Sequence, residues 1–332
     1  MIRTVILLAV LAFLSPPAKS AAATAEQVRY VMGTTATVKA WAPDGILAEA
    51  AVAAAYSAFA RVDSLMSTWR DDSVLNRMNA TEAGTWVAVG PDVCRVLAEA
   101  KVVAENSGGA FDPTVLPLVR LWGFRGGSGA VPDSLALVET LRAVGHVYLE
   151  VDETESRARF RRNGMAVDLG GIAKGYALDL AAEAMRRAGA LGGTIDLGGN
   201  ILAYGEGPAR RVGILDPTDT DRLAAAVPLV DAAAATSGQY ERFLTIAGRK
   251  YGHILDPRTG WPVADLLSVT VVAASAMQAD ALATAAVVLG PRDGLAMIEA
   301  VFGAEAVIAT ADGAGGCDLQ TTSGLVSVLE SP

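Results

Sequence analysis

The chain has 332 residues, 52% of them hydrophobic, with 27 Lys and Arg against 36 Asp and Glu for a formal net charge of −9. That balance excludes a polyanion-binding surface, so nucleic acid is not expected as a partner, and any anionic ligand must be held locally by backbone N–H groups, a few cations or a metal. Two histidines are too few for a His-rich metal centre, and Cys94 and Cys317 show no CxxC or zinc spacing, leaving a disulfide or two separate thiols open.

In chain order, residues 1–20 read as a cleaved secretory signal peptide. A short basic start (Arg3) precedes the apolar run VILLAVLAFL, then Pro16-Pro17 and the small-residue pattern around Ser20 and Ala21. The run is too short to span a bilayer, which takes about 20 apolar residues. No cysteine near the cleavage region supports a lipid anchor, and no later segment reads as a membrane span, so the mature chain is expected to be soluble and exported to the periplasm. About 310 mature residues can bury a large core, as one large domain or two lobes.

RYVMGTTATVKAW (29–41) reads as a strand with a glycine break, and residues 46–66 as an alanine-rich amphipathic helix. A second helix spans 91–106, opened by proline and stopped by Gly108-Gly109. GGSG (126–129) marks a turn before a short helix from Asp133. HVYLEVD and SRARFRR alternate as a hairpin across residues 153–155, with His146 an ordinary strand-end residue. Residues 165–189 read as strand, glycine loop and helix. DLGG recurs at 196–199 within a strand pair, and the two copies are taken as similar turns. A strand at 227–229, a polar turn ATSGQYERF (235–243), the loop YGHILDPRTGWPV (251–263) and the strand LSVTVVAA (267–274) follow. Strands and helices without a regular βαβ rhythm predict an α+β or irregular α/β fold.

The last predicted helix, SAMQADALATAAVVLG (275–290), poses a chemical question. Ser275 and Gln278 form a capping-box signature, and Gly290-Pro291 a stop. Asp280 lies too deep to cap, on a helix with little polar face. A buried carboxylate needs a cation, a donor or a metal. Thr284, one turn on, points the same way. Two oxygen side chains on one face suit a hard cation such as Mg²⁺, while an arginine partner or a partly exposed edge would also account for them.

Other signals are separate. DLGGIAKG (168–175) places glycines between strand and helix, where N–H groups can approach a phosphate, or where a tight turn simply needs positive φ. It matches neither the Rossmann nor the P-loop spacing. His253 in the loop 251–263 could be a general base or a hydrogen-bonded structural residue. Ser237 lacks a hydrolase arrangement. Trp69 and Phe111 are aromatics at loop-like positions, core residues or platforms for a planar ring.

Taken in order, MGTTATV, STWRDDSVLNRMN, GGAFDPTVLPLVRLWGF, DLGGIAKGYALD, IDLGGN, ATSGQYERF, HILDPRTGWPV and SVTVVAASAMQADALATA resemble the ApbE family of FAD:protein FMN transferases along nearly the whole mature chain. The resemblance implies an α+β fold of mixed sheets with packed helices, one large two-lobed domain over residues 24–332. It implies Mg²⁺ held by Asp280 and Thr284 with backbone oxygens of Ala173 and Ala283. FAD contacts would come from Met32, Trp69, Ala110, Phe111, Asp112, Gly170, Tyr176 and Ile254. Trp69 stands where relatives often have tyrosine, and either offers a stacking face. His253 would be the base near the acceptor hydroxyl, with Asp256 as an orienting or second acidic group. The implied reaction moves FMN from FAD onto a Thr or Ser of an acceptor flavoprotein, such as a membrane redox subunit or FMN-binding domain, and releases AMP. FAD hydrolysis at the same site, or a non-catalytic flavin carrier, are the alternatives.

Overall fold

Residues 23–42 form a hairpin rather than one broken strand. In this computed structural model, β1 (Ala23–Val31) and β2 (Thr34–Ala42) pair antiparallel around Met32 and Gly33, both at positive φ. The structure describes residues 22–125, 129–205, 210–238, 243–263 and 267–330. The signal segment, three residues of the GGSG turn and positions 239–242 therefore lie outside the described residues.

After the hairpin come α1 (Gly45–Met66), α2 (Val74–Asn79), β3 (Val87–Ala88), α3 (Gly90–Asn106), α4 (Leu116–Trp122) and α5 (Ser134–Leu141). Then follow β4 (Leu149–Asp152), β5 (Arg157–Phe160), α6 (Ala173–Arg187), β6 (Gly192–Leu197) and β7 (Asn200–Gly205). The second half has β8 (Arg210–Asp216), β9 (Asp219–Leu229), β10 (Ala232–Gly238), β11 (Phe243–Ile246) and β12 (Arg249–Gly252). The chain finishes with β13 (Leu267–Ala273), α7 (Ala276–Glu299), β14 (Ala304–Ala311) and β15 (Cys317–Thr321).

Eight strands make the main sheet in the order β1-β2-β6-β7-β10-β13-β14-β15, with every neighbouring pair antiparallel. Strand alternation puts Val269, Val271 and Ala273 on one face with the main core. That core also holds the apolar stripes of α1, α3, α6 and α7. On the opposite face β8 and β9 pack through Ile214, Ala225 and Val227 against Val307 and Leu325. A satellite core of Leu118, Trp122, Leu137 and Leu255 joins α4 and α5 to the loop after β12. The mixed α/β architecture matches the expected class.

Local chemistry sets the helix limits. Asp44 caps α1, its carboxylate accepting from the Leu47 N–H at 2.8 Å, and buried Ala48, Val52, Ala55, Phe59 and Val62 follow the helical repeat. Gly290, at φ 79 and ψ 177, breaks α7 where the sequence signals a stop. Helix resumes at once from Pro291, a residue suited to a first helical turn, so the element is two helices end to end. By length and composition alone α1 and α7 could each cross a membrane, contrary to expectation. Here their apolar residues join the main core.

Three further expectations differ. Residues 165–167 form only an isolated bridge, Ala166 to Val115, rather than a strand. His146 opens a single 3₁₀ turn, His146–Tyr148. The expected polar turn begins as strand: β10 runs through Gly238 and pairs with both β7 and β13. Cys94 on α3 and Cys317 on β15 are both free thiols.

Candidate active site

Asp280 is 2% exposed, and one oxygen of its carboxylate accepts the Gly175 N–H at 3.0 Å. Gly175 lies in the first turn of α6, so the positive end of that helix meets the acid. The carboxylate forms no other hydrogen bond or ion pair among the described residues, and Asp280 lines a cavity of about 640 Å³. Neither the arginine partner nor the exposed edge is found. A backbone donor accounts for one oxygen, and the cavity receives the rest of the group.

Glycine makes this approach possible. A Cβ on Gly175 would lie 2.1 Å from the Ala276 carbonyl oxygen, so α6 and α7 touch backbone to backbone there. One on Gly171 would lie 2.9 Å from the Thr284 hydroxyl and 3.3 Å from the Phe111 ring. Neither glycine has positive φ; their function is close approach. The second DLGG is a different object. Gly198 and Gly199, at φ 62 and 86, form the two-residue turn of the β6–β7 hairpin, so the copies are not similar turns.

Thr284 follows Asp280 by one turn, its hydroxyl donating to the Asp280 carbonyl at 3.2 Å and standing 3.4 Å from the Ser237 hydroxyl. Asp280, Thr284 and Ser237 all line the cavity, an oxygen-only donor set that fits a hard divalent cation. Among the described residues no cluster of three or more His, Cys, Asp or Glu could enclose a metal, so water or ligand oxygens would complete the shell. Ala173 lines the cavity beside them, whereas Ala283 is buried in α7 and does not.

The remaining wall is assembled from distant segments. Met32 comes from the β1–β2 turn, Trp69 from the loop after α1, and Ala110, Phe111 and Asp112 from the loop after α3. Gly170 comes from the glycine loop, and His253 and Ile254 from the loop after β12. Asp168 ties two of these walls together, accepting from the Gly170 N–H at 2.7 Å and the Thr68 hydroxyl at 3.0 Å. Both oxygens of Asp112 are engaged: one accepts from the N–H and hydroxyl of Thr114 in its own turn, the other from the His146 N–H at 2.7 Å. His146 Nδ1 is also 3.2 Å from that second oxygen, so His146 braces the cavity wall.

Besides Ala283, two expected site residues lie off the cavity wall. Tyr176 does not line the cavity; it is 3% exposed and its hydroxyl donates to Asp92 at 2.6 Å. Burial, then that acidic partner, raises its pKa well above the usual tyrosine value. Asp256 does not line the cavity either. Both of its oxygens are held by the Arg258 guanidinium at 2.9 Å, in a turn closed by Gly260 N–H to Asp256 O. The Trp122 indole donates to Gly260 O and fixes that turn to α4. Asp256 therefore shapes the loop carrying His253 and does not face the site.

Sequence reasoning missed Asp168, Lys174 and the contribution of Ser237, all lining the cavity. It also missed Asp179, whose carboxylate accepts the N–H groups of Ala276 and Met277 and the Ser275 hydroxyl at the start of α7. Asp168 and Asp179 both fall within the motif DLGGIAKGYALD. Their partners, Thr68 for the first and Ser275 to Met277 for the second, lie about a hundred residues away, which spacing rules do not address.

The sequence model of the ApbE family matches residues 32–308. An FAD:protein FMN transferase of Treponema pallidum is 34% identical over 296 residues, covering 83% of this chain and 82% of that protein. One from Vibrio cholerae is 36% identical over 248 residues, 72% of this chain and 73% of its own. The apo crystal structure of the Pseudomonas stutzeri flavinyl transferase ApbE superposes with a TM-score of 0.82 at 30% identity, covering 93% of this chain and 98% of that one. The ApbE protein of Thermotoga maritima gives 0.83 at 29%, covering 92% and 99%. With the family model matched over residues 32–308, relatives above 30% identity along most of both chains and a shared fold over more than nine-tenths of this one, this chain belongs to the ApbE family.

Proposed function

We propose that this chain is an exported, Mg²⁺-dependent FAD:protein FMN transferase, with a signal segment at 1–20 and the transferase domain at 24–332. It transfers FMN to a Thr or Ser hydroxyl of an acceptor flavoprotein and releases AMP. The observation that carries the reading is the meeting of Asp280 and Thr284 with the glycine loop in one cavity whose other walls bear Phe111, Trp69 and His253. A volume of about 640 Å³ lies within the range of small-molecule sites, roughly 300–1,000 Å³.

Phe111, Met32 and Trp69 supply apolar faces for the isoalloxazine ring. The pyrophosphate belongs at the start of α6, where N–H groups and Lys174 favour negative charge. Mg²⁺, when bound by Asp280 and Thr284, supplies charge neutralisation at the pyrophosphate. The acceptor oxygen bonds to the FMN phosphorus as the bond from that phosphorus to the AMP oxygen breaks. His253 takes the hydroxyl proton, and AMP leaves with the bond's electron pair. Asp256 has no part in that step, because Arg258 holds it away from the cavity.

Purified protein is mixed with FAD, Mg²⁺ and an FMN-binding acceptor domain. A flavin-fluorescent acceptor band surviving denaturation, with matching AMP release, supports transfer. AMP without the band makes the protein a hydrolase, and recovery of intact bound FAD makes it a carrier.

A further inference from the structure

Beyond Trp69 lies a second, open cavity of about 530 Å³, lined by Asp71, Asn76, Asn79, Ala80, Arg120 and Arg125. It shares no lining residue with the main cavity, and Trp69 joins the two. The Trp69 ring, 66% exposed, lines the first, and the Arg125 guanidinium of the second lies over it, 5.2 Å from the ring centroid. Arg125 Nη1 is buried with no hydrogen-bond partner among the described residues. A buried guanidinium N–H left unmet is costly, more so for a charged group than a neutral one. Burial lowers the Arg125 pKa, and the nearby Arg120 charge lowers it further against the pull of Asp168 and Asp71.

Neither arginine forms an ion pair among the described residues, although Asp71 shares the cavity. Other arginines that share a surface with an acid do pair with it: Arg61 with Asp92, Arg157 with Asp152 and Arg159 with Glu150. Two guanidiniums without an ion pair against one lining carboxylate, in a chain of net charge −9, leave a local excess of positive charge at the wall of an open cavity. The floor is rigid. Asn76 donates to the carbonyls of Thr68 and Arg70, and Asn79 exchanges two hydrogen bonds with Val167. The same side chains thus support the Trp69 loop and the start of the glycine loop.

We propose that Arg120 and Arg125 bind a carboxylate of the acceptor protein, an Asp or Glu close to the receiving hydroxyl, and so dock the acceptor against Trp69 at the main cavity. The inference rests on the transferase reading. FAD's phosphates have their own place beside Asp280, so the anion that arrives here comes with the second substrate. A guanidinium fork matches a carboxylate in two parallel hydrogen bonds, and paired arginines are a recurring way to read acidic peptides.

The test uses synthetic peptides with one threonine and one aspartate at successive positions, each with an asparagine control. Transfer, FAD affinity and peptide-independent AMP release are measured for the wild type, Arg120→Gln and Arg125→Lys. The wild type should prefer an aspartate peptide. Arg120→Gln should raise the KM for that peptide by about ten-fold, about 1.4 kcal/mol, and erase the preference over asparagine. Its kcat and FAD affinity should stay within about two-fold of wild type. Arg125→Lys, which keeps charge but loses the fork, should fall between the two. Equal use of aspartate and asparagine peptides by the wild type, or an unchanged KM in Arg120→Gln, overturns the proposal. So does inorganic phosphate competing with FAD in the wild type but not in the variants, which would give the subsite to FAD. Absence of transfer to any peptide or acceptor domain would instead remove the transferase reading, and this one with it.

Discussion

Asp280 keeps one oxygen on the Gly175 N–H and turns the group into the cavity, so its burial does not depend on a paired cation. Sequence chemistry singled out this residue because an acid on an apolar helix is rare enough to demand a partner. The same reasoning could not place Tyr176 or Asp256, whose partners Asp92 and Arg258 are fixed by packing and turn geometry. Replacing His253 with Asn should lower kcat for transfer by about 100-fold while leaving FAD affinity unchanged, if the imidazole accepts the proton. Stopped-flow AMP release and a binding isotherm check both parts. A different residue governs stability in acid. The hydroxyl and N–H of Thr218 and the Arg222 guanidinium hold the Asp216 carboxyl well below the usual carboxylate range. A depressed folded pKa contributes stability that is present above the unfolded value of about 3.9 and lost as pH falls through the folded one. Asp216→Asn should therefore melt well below wild type at pH 7, with the gap in Tm narrowing below about pH 4. An equal gap at both pH values would contradict this.

At the scale of elements, α6 and α7 carry the account, because their backbone contact brings the α6 N-terminus onto Asp280. Gly175→Ala should cost about 3 kcal/mol or more, since its Cβ would meet a backbone oxygen and not a yielding side chain. Denaturant unfolding would read that loss. Asp179→Ala removes the acid that caps α7 from a neighbouring helix and should cost about 1–2 kcal/mol in the same assay. The long helices were legible because caps, Pro and Gly sit at their ends. The centre of the sheet was less so. β10 reads AAAATSG, with Thr236 alone among the branched or aromatic residues that mark strands, and it is a strand because β7 and β13 flank it. Ala233, Ala234 and Ala235 are at most 1% exposed, their small side chains buried on both faces of the sheet.

The whole molecule brings one cavity together from the β1–β2 turn, the ends of α1 and α3, the glycine loop, β10, the loop after β12 and α7. Most of the residues the family resemblance named line that cavity, although no local pattern could show that they meet. The neighbouring arginine pocket was invisible in sequence, because Arg120 and Arg125 look like ordinary surface charges until Trp69 is found beneath one of them. The measurement that bears most directly on the account is FAD binding by calorimetry and FMN transfer across a Mg²⁺ titration, for wild type and Asp280→Asn. The variant preserves shape and an oxygen acceptor for the Gly175 N–H, so it should melt within a few degrees of wild type. The account predicts that Mg²⁺ strengthens FAD binding only in the wild type, and that transfer by the variant falls by at least about 100-fold at every Mg²⁺ concentration. Wild-type rates from Asp280→Asn, with the same Mg²⁺ dependence, would contradict it.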